Sequence, residues 1–403
     1  MVRETVEQDL KIEPDDVVSA LNRKVLFLVA DDWYFVSHRL IFARHLLEKG
    51  YEVSVACRTW NDRDRIIEEG VRLLEMPFAR ERVSPLFVVR LAWRLRKVIR
   101  REQPACIHVV TVRLILIVWM STMGMRRPVM INAVAGMGSL FASTDLGWRL
   151  RLVRALVKRM FSAVFRQRTA INIWQNRDDF EQFTGNGLSP RNQSHLIPGV
   201  GIDYSRSPFQ SEPDLEIPVV VYVGRLLRDK GVIDLLEASR RLERHGCRHE
   251  LRMIGTPDPC NPGSLTEEDI KVWTGFSWIK WLGRREDVIE QMRMANIVAM
   301  PSYREGLPQV LLEAGLAGRP VVTNDVPGCR DVIVDGLNGL LAVPRKVDSL
   351  AERLQRLMED RPLRLRMGEA NYQRVKERFS QERVFDQLGA IYESFLPLTR
   401  SED

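Results

Sequence analysis

The feature that most constrains this chain is a short, continuously apolar run that occurs twice: KVLFLVA over Lys24 to Ala30 and VVVYV over Val219 to Val223. A strand with one wet face alternates apolar and polar residues. A strand apolar at every position has to be covered on both faces, as in a parallel sheet flanked by helices. Each run opens a series of the same kind. After the first come a helical stretch, His38 to Lys49, stopped by Gly50, and apolar runs at Glu52 to Cys57, Ile107 to Val112, Val129 to Ala133 and Ala170 to Trp174. After the second come a helix from Val232 and runs at Glu250 to Ile254, Ile297 to Met300 and Pro320 to Thr323. Strands alternating with helices predict a doubly wound α/β sheet, and the restart predicts two of them in series.

Length agrees, since 403 residues exceed what one hydrophobic core ordinarily organises. Ile197-Pro198-Gly199-Val200-Gly201-Ile202-Asp203 carries the proline and glycines of a hinge. The expected organisation is a polar N-terminal extension over 1–22, a first domain over 23–200 and a second over 201–379. The helical tail, 380–396, is expected to cross back to the first domain.

With 45% hydrophobic and 28% charged residues the chain has the balance of a water-soluble globular protein. Its five cysteines (Cys57, Cys106, Cys247, Cys260, Cys329) are scattered, with no zinc-like or disulfide-like spacing, and read as reduced thiols of a cytoplasmic protein. The most apolar tract, Leu114 to Met125, falls short of the roughly twenty residues a membrane-spanning helix needs. The first 22 residues lack the basic-then-apolar order of a signal peptide. The net charge of +7 is unevenly placed: residues 23–202 hold 29 Lys/Arg against 15 Asp/Glu, and residues 203–403 hold 29 against 32. The first domain is therefore expected to face something anionic.

Two segments of the second domain concentrate chemistry. In PSYREGLPQVLLEAG, Glu305 lies in the loop before a helix and Glu313 eight residues later, a little over two turns into it. Gly306-Leu307-Pro308 opens that helix and offers backbone N–H groups to an anion. On spacing alone the pair also fits a solvated helix with an acid near its start. In GRLLRDKG, directly after the strand Val219 to Val223, Gly224 and Gly231 bound a loop with Arg225 and Lys230, suited to two phosphates. Such a loop also occurs as an ordinary charged turn. Its place at the carboxyl end of a strand is where open α/β sheets bind ligands.

Together these residues resemble the retaining glycosyltransferases of family 4, over Lys24 to about Phe395. The resemblance rests on the EX7E pair Glu305 and Glu313, the Gly-Arg-Leu…Lys-Gly loop, Trp281-Leu282-Gly283, Ala317-Gly-Arg-Pro-Val-Val322, Gly328 and Asp335-Gly-Leu-Asn-Gly339. It implies a GT-B fold, two Rossmann-like doubly wound domains facing a cleft, and transfer of a sugar from a nucleotide-diphosphate donor. It implies Glu305 on the sugar hydroxyls, Glu313 on the ribose, and Arg225 and Lys230 on the diphosphate. Gly224, Gly306, Leu307 and Pro308 join the donor site, and Gly283 and Arg284 lie near the base. No metal and no cofactor beyond the nucleotide sugar is implied.

The first domain matches a narrower group. In place of a glycine-rich loop after the first strand it has Asp31-Asp32-Trp33-Tyr34-Phe35-Val36-Ser37-His38-Arg39, which resembles enzymes building lipid-linked bacterial polysaccharides. That resemblance places Ser37, His38, Arg39, His108, Gly136 and Gly138 near a polyprenyl-diphosphate-linked saccharide acceptor, with a UDP-N-acetylhexosamine as the expected donor. His108 reads first as a core histidine, because the second histidine position of the family pattern is Val110 here. Two stretches, Arg82 to Arg101 and Arg149 to Arg168, each hold seven bases and no acid. The first has apolar Leu91, Leu95 and Val98, the second Leu152, Leu156, Met160 and Phe165. Either stripe suits a core, or an anionic membrane surface on the inner face of the cytoplasmic membrane. We take the membrane reading as the expectation. Asp62-Arg63-Asp64 has the form of a metal-binding DxD but stands where a helix to Glu69 begins, and is expected to cap it. No nucleic-acid recognition motif accompanies the basic charge. The remaining alternative is a GT-B-fold nucleotide-sugar epimerase.

Overall fold

The computed structural model describes residues 22–78, 84–136, 148–205, 207–259 and 261–396, with 148–154 described as backbone only. The first unit runs to Val200 and resumes at Val384; the second is Gly201–Arg383.

The first unit contains a seven-stranded parallel sheet: β1 (Lys24–Asp31), β2 (Glu52–Arg58), β3 (Arg72–Glu75), β4 (Cys106–Val110), β5 (Val129–Val134), β6 (Ala170–Trp174) and β7 (Ser194–Leu196), in spatial order 3-2-1-4-5-6-7. The second contains six parallel strands: β8 (Val219–Val223), β9 (Glu250–Ile254), β10 (Ile279–Gly283), β11 (Ile297–Met300), β12 (Val321–Asn324) and β13 (Gly339–Ala342), in order 10-9-8-11-12-13. Both are the doubly wound arrangement in which strand order reverses beside the first strand. The reversal opens a crevice at the carboxyl ends of β1/β4 and of β8/β11.

The continuous apolar runs have the cause expected of them. Val25 to Val29 are wholly buried, with Val25, Phe27 and Val29 facing one core layer and Leu26 and Leu28 the other. The first layer is closed by helix Leu40–Glu48 and by helix Gln381–Phe395, whose Val384, Phe385, Leu388, Ile391 and Tyr392 pack into it. The second is closed by helices Pro85–Glu102 and Val112–Thr122 and the described part of Trp148–Phe165. Where the chain enters the second unit, Ile202 bridges Ser380 in parallel. Gly201 has φ 70 and a Cβ there would overlap Phe379 and Gln381, so only glycine fits between these two segments.

Three local expectations are corrected. The stretch after β1 is not an open loop: Asp32–His38 is helical, and a second helix begins at Leu40 and ends at Glu48. Asp31 and Asp32 are buried beneath it. Asp31 pairs with Arg58 at 2.7 Å, while Asp32 accepts from the backbone N–H groups of Trp60 and Asp62. Asp62 stands at the N-cap of helix Arg63–Glu68, yet its side chain makes no capping bond. In helix Pro85–Glu102 the stripe Leu91 and Leu95 is buried in the core, with Val98 packed against it, and is closed to lipid. Arg82, Gly138 and the 1–21 part of the extension lie outside the described residues, as do the side chains of Arg149 and Leu152.

Candidate functional site

In the second unit, three loops at the carboxyl ends of β8, β11 and β12 are fastened to one another around the crevice. Gly231, with φ 69, ends the loop after β8; a Cβ there would overlap the carbonyl of Pro301, the first residue after β11. The Tyr303 amide donates to Asp229 O at 2.9 Å, and Tyr303 Oη donates to Asp234 at 2.7 Å. Gly328, with φ 78, lets the loop after β12 rest on the Gly306 carbonyl, which any Cβ would strike. Asn324 Nδ2 donates to Pro301 O at 2.6 Å. Two further glycines extend the row: Gly255 lies against Gly224, and its amide donates to Gly283 O at 2.7 Å. Positive φ and backbone-to-backbone contact make glycine obligatory at these joints.

This stitching brings the predicted donor residues together. Lys230 Nζ donates to Glu305 Oε1 at 2.5 Å across the β8/β11 reversal, both side chains being largely buried. Arg225 Nη1 donates to Asp258 at 2.7 Å, with its guanidinium half exposed. Tyr222 Oη holds the Arg225 carbonyl at 2.8 Å. Glu305 lies in the loop; Pro308 is the N-cap of helix Gln309–Leu316 and is buried, and Glu313 stands inside the helix. Gly306 is held by the fold, whereas the Leu307 amide has no partner among the described residues. Glu313 also has no hydrogen-bond or ionic partner there, and burial pushes its carboxyl up to about 7. Gly283 has φ 66 at the end of β10, and the Arg284 side chain is exposed beside it.

The arrangement is thus a crevice with two cations, a carboxylate already hydrogen bonded, a second carboxyl unpartnered, and the amino end of a helix. A diphosphate ester with hydroxylated groups at both ends meets these requirements: cations for the phosphates, carboxyls for the hydroxyls. Sequence reasoning missed Asp258, which orients Arg225, and the Tyr303/Asp234 pair. Asp258 sits in Thr256-Pro257-Asp258-Pro259, a turn signal whose proximity to Arg225 follows only from the adjacency of β8 and β9.

The predicted acceptor residues of the first unit divide. Ser37 is exposed; its Oγ is 2.6 Å from His38 Nδ1. The His38 ring stacks on Tyr34 at 4.4 Å, and burial, then the charge of Arg39, lowers its pKa to about 4. Arg39 and His108 are buried and line one cavity with Gln175, at the carboxyl ends of β5, β6 and β7. Ser37, His38 and Gly136 do not line that cavity; Gly136 follows β5 with φ 106. His108 stacks on Phe27 at 5.0 Å, and burial holds its pKa well below the usual value, so it is neutral.

Among the described residues no helix is long and apolar enough to cross a membrane, and no group of three or more His, Cys, Asp or Glu is placed to hold a metal ion.

Comparison with known proteins bears on family and fold. Residues 203–374 match the family model for glycosyl transferases group 1, and residues 24–167 match the model for glycosyl transferase 4-like proteins. The chain is 25% identical over 347 residues to the N,N'-diacetylbacillosaminyl-diphospho-undecaprenol alpha-1,3-N-acetylgalactosaminyltransferase of Campylobacter jejuni, covering 82% of this chain and 88% of that one. Among solved structures, sucrose-phosphate synthase from Thermosynechococcus elongatus superposes with a TM-score of 0.75 at 18% identity, over 92% of this chain and 98% of that one. The Anabaena protein HepE in complex with UDP gives 0.72 at 17%, over 92% and 100%.

Proposed function

This chain belongs to the group 1 glycosyltransferases of GT-B fold, and from that premise we propose that it is a retaining enzyme moving an N-acetylhexosamine from a UDP-linked donor to a saccharide carried on a polyprenyl diphosphate, in the assembly of a bacterial surface glycan. The observation that carries the donor half is the Lys230–Glu305 pair at 2.5 Å, with Arg225 on the neighbouring loop and the unpartnered Glu313 in the helix behind. In this reading Arg225 and Lys230 take the diphosphate, Glu305 the sugar hydroxyls, Glu313 the ribose, and the Leu307 amide an oxygen of the sugar phosphate. Gly224, Gly306 and Pro308 shape the loops, and Gly283 with Arg284 borders the base. The lipid-linked acceptor is supported by the Campylobacter relative, whose name carries a diphospho-undecaprenol sugar.

The chemistry follows from charge. The bond between the anomeric carbon and the diphosphate oxygen breaks, the departing oxygen takes the proton of the acceptor hydroxyl, and that hydroxyl bonds the carbon on the same face. The protein's task is to hold the departing negative charge, and one such donor is typically worth about 3 to 4 kcal/mol. Two cations meet that charge here, so the reading needs no metal and EDTA is expected to leave turnover unchanged.

The acceptor domain is proposed to work at an anionic membrane surface on the cytoplasmic side. Support comes from a face of helix Pro85–Glu102 other than the one the sequence pointed to. Leu86, Val89 and Trp93 form an exposed apolar stripe at helical spacing, Trp93 being 60% exposed. Arg90, Arg94 and Lys97 flank it, with Lys97 Nζ 3.5 Å from the Trp93 ring centre. Leu156 on helix Trp148–Phe165 is also exposed. Apolar side chains among exposed bases suit the headgroup region.

The test is a panel of labelled nucleotide sugars incubated with protein and polyprenyl-diphosphate saccharides, with Glu305→Ala, Arg225→Ala and Lys230→Ala as controls. Transfer from one donor by the wild type and its loss in the controls is expected. Full transfer by all three variants overturns the site, and epimerised donor without acceptor overturns the transferase reading in favour of an epimerase.

A further inference from the structure

The segment that follows β2 carries an exposed tryptophan which the fold nonetheless holds still. Trp60 is 59% exposed. Its indole Nε1 donates to the buried carboxylate of Asp31 at 3.3 Å, and the Arg58 guanidinium, itself paired with Asp31, covers one side of the ring at 4.7 Å from its centre. Its backbone N–H donates to Asp32 at 2.5 Å, and the other oxygen of that buried carboxylate takes the backbone N–H of Trp33, a second exposed indole, at 2.7 Å. A side chain in water ordinarily keeps its rotamer freedom, and fixing it costs free energy. Here two buried acids fix a large apolar ring whose remaining face stays in solvent.

The polar groups next along the chain are unspent. Asn61 is exposed, and Asp62 stands at the N-cap of helix Arg63–Glu68 without capping it. Neither side chain has a hydrogen-bond or ionic partner among the described residues, and the adjacent bases are taken, Arg58 by Asp31 and Arg63 by Glu75. A fixed aromatic face beside a free amide and a free carboxylate suits a ligand that is apolar on one side and rich in donors at its edge. A pyranose is such a ligand: its ring C–H bonds make a face that lies on the negative face of an indole, and its hydroxyls donate to a carboxylate. An anionic bilayer suits the place poorly, because Asp62, Asp64 and Glu68 stand there against Arg63 and Arg65. The exposed stripe of helix Pro85–Glu102, by contrast, stands among Arg90, Arg94 and Lys97.

We propose that Trp60, with Asn61 and Asp62 at its edge, is a stacking platform for a neutral pyranose ring, one sugar of the saccharide that accepts the transfer. That the pyranose belongs to the acceptor rests on the glycosyl-transfer reading; the platform itself does not. Its place is the carboxyl end of β2, on the side of the sheet where open α/β domains take their ligands. Asp31 and Asp32 are positioning residues: they orient the indole and its backbone without touching the sugar. Asp62, which has the spacing of a metal-binding acid and caps no helix, acquires a role as a hydroxyl acceptor.

The experiment uses the full chain carrying Glu305→Ala, so that the crevice of the second unit contributes little to sugar binding. Saturation-transfer NMR with methyl N-acetyl-α-glucosaminide, and with glycerol as a polyol that has no ring face, reads the platform directly. Saturation is expected to reach the ring protons of the glycoside and not glycerol, to fall at least tenfold in Trp60→Ala and severalfold in Asp62→Ala, and to persist in Trp60→Phe. Asp62→Ala guards against a Trp60 variant that does not fold. Undiminished saturation in the folded variants overturns the platform. Flotation with phosphatidylglycerol vesicles is expected to be equal for Trp60→Ala and its parent; lost flotation with the glycoside signal intact assigns the ring to the bilayer and overturns the proposal. In an otherwise wild-type chain, Trp60→Ala is expected to raise the acceptor KM at least tenfold with the donor KM unchanged. An unmoved acceptor KM beside a lost glycoside signal overturns the acceptor as the source of the pyranose. If no nucleotide sugar supports transfer, the NMR measurement still decides the platform, and only the source of its ligand falls.

Discussion

The two units have the same strand order and the same crevice at the carboxyl ends of their strands, yet they treat polar groups there in opposite ways. In the second unit most are already satisfied: Lys230 by Glu305, Arg225 by Asp258, Tyr303 by Asp234, and the loops that carry them by backbone contacts at glycines. In the first, Arg39 and His108 line a small hollow, and Arg39 Nε and His108 Nε2 are buried without a hydrogen-bond partner among the described residues. A crevice whose charges are paired keeps its geometry without ligand and exchanges partners when a diphosphate arrives. A crevice with unpaired groups carries a cost until something fills it. The contrast sets a crevice whose polar groups are already ordered on one sheet against a small hollow with unsatisfied groups on the other.

The largest effect expected from breaking the paired site is on catalysis. Lys230→Ala removes one cation from the departing diphosphate and strands Glu305 without its partner; a loss of about 10²- to 10³-fold in kcat is expected from the first effect alone, read in the labelled-donor assay. Arg225→Ala should cost somewhat less, because its guanidinium is half exposed and screened.

Next comes the stitching itself. Gly231→Ala places a methyl group against the Pro301 carbonyl in a left-handed conformation and should lower stability by about 3 kcal/mol or more, combining overpacking and backbone strain. Gly124 in the first unit has nearly the same φ, 69, with nothing within 4 Å of a Cβ. Gly124→Ala should therefore cost about 1 kcal/mol, the backbone term alone. Equal losses in thermal midpoint would show that the loop contact at Gly231 does not hold the crevice.

How much of this was legible in the sequence follows the range of the interactions. The strands were readable because a continuously apolar run has few alternatives once both faces must be covered, and β6, β8, β9 and β11 stand where the pattern placed them. The donor loops were readable because their residues sit close together along the chain. What escaped depends on which segments the sheet makes neighbours. Lys230 meets Glu305 across 75 residues and Arg225 meets Asp258 across 33. The helix after β1 is not legible along the chain, because Asp31 and Asp32 look like loop residues until Arg58 and the Trp60 backbone, nearly thirty residues on, are brought beneath them. Helix Pro85–Glu102 carries two apolar stripes, and periodicity cannot say which is core. The fold buries Leu91 and Leu95 and leaves Leu86, Val89 and Trp93 outside. Double replacement of Leu86 and Trp93 by serine should weaken flotation with anionic vesicles severalfold while leaving turnover on a water-soluble acceptor intact.

The last effect, one read through pH, concerns the donor-site carboxyl that has no partner among the described residues. Burial raises Glu313 to about 7 from an ordinary 4.5, so between those values the folded protein holds a proton that the unfolded chain has released. Stability attributable to this residue therefore falls as pH rises from about 4.5 to about 7, and the deficit is constant above that. Discounted for partial exposure, the deficit is about 2 kcal/mol. Glu313→Gln should match the wild type in thermal midpoint at pH 4 and exceed it at pH 8. Nucleotide binding should respond in the opposite sense, because ribose hydroxyls donate to the ionised carboxylate and the amide accepts less well. At pH 6 the wild type should accordingly release a proton on binding UDP, seen as a calorimetric enthalpy that differs between phosphate and imidazole buffers, and the variant should not. A buffer-independent enthalpy in the wild type would place the ribose elsewhere and leave Glu313 as an unpaired carboxyl of the helix alone.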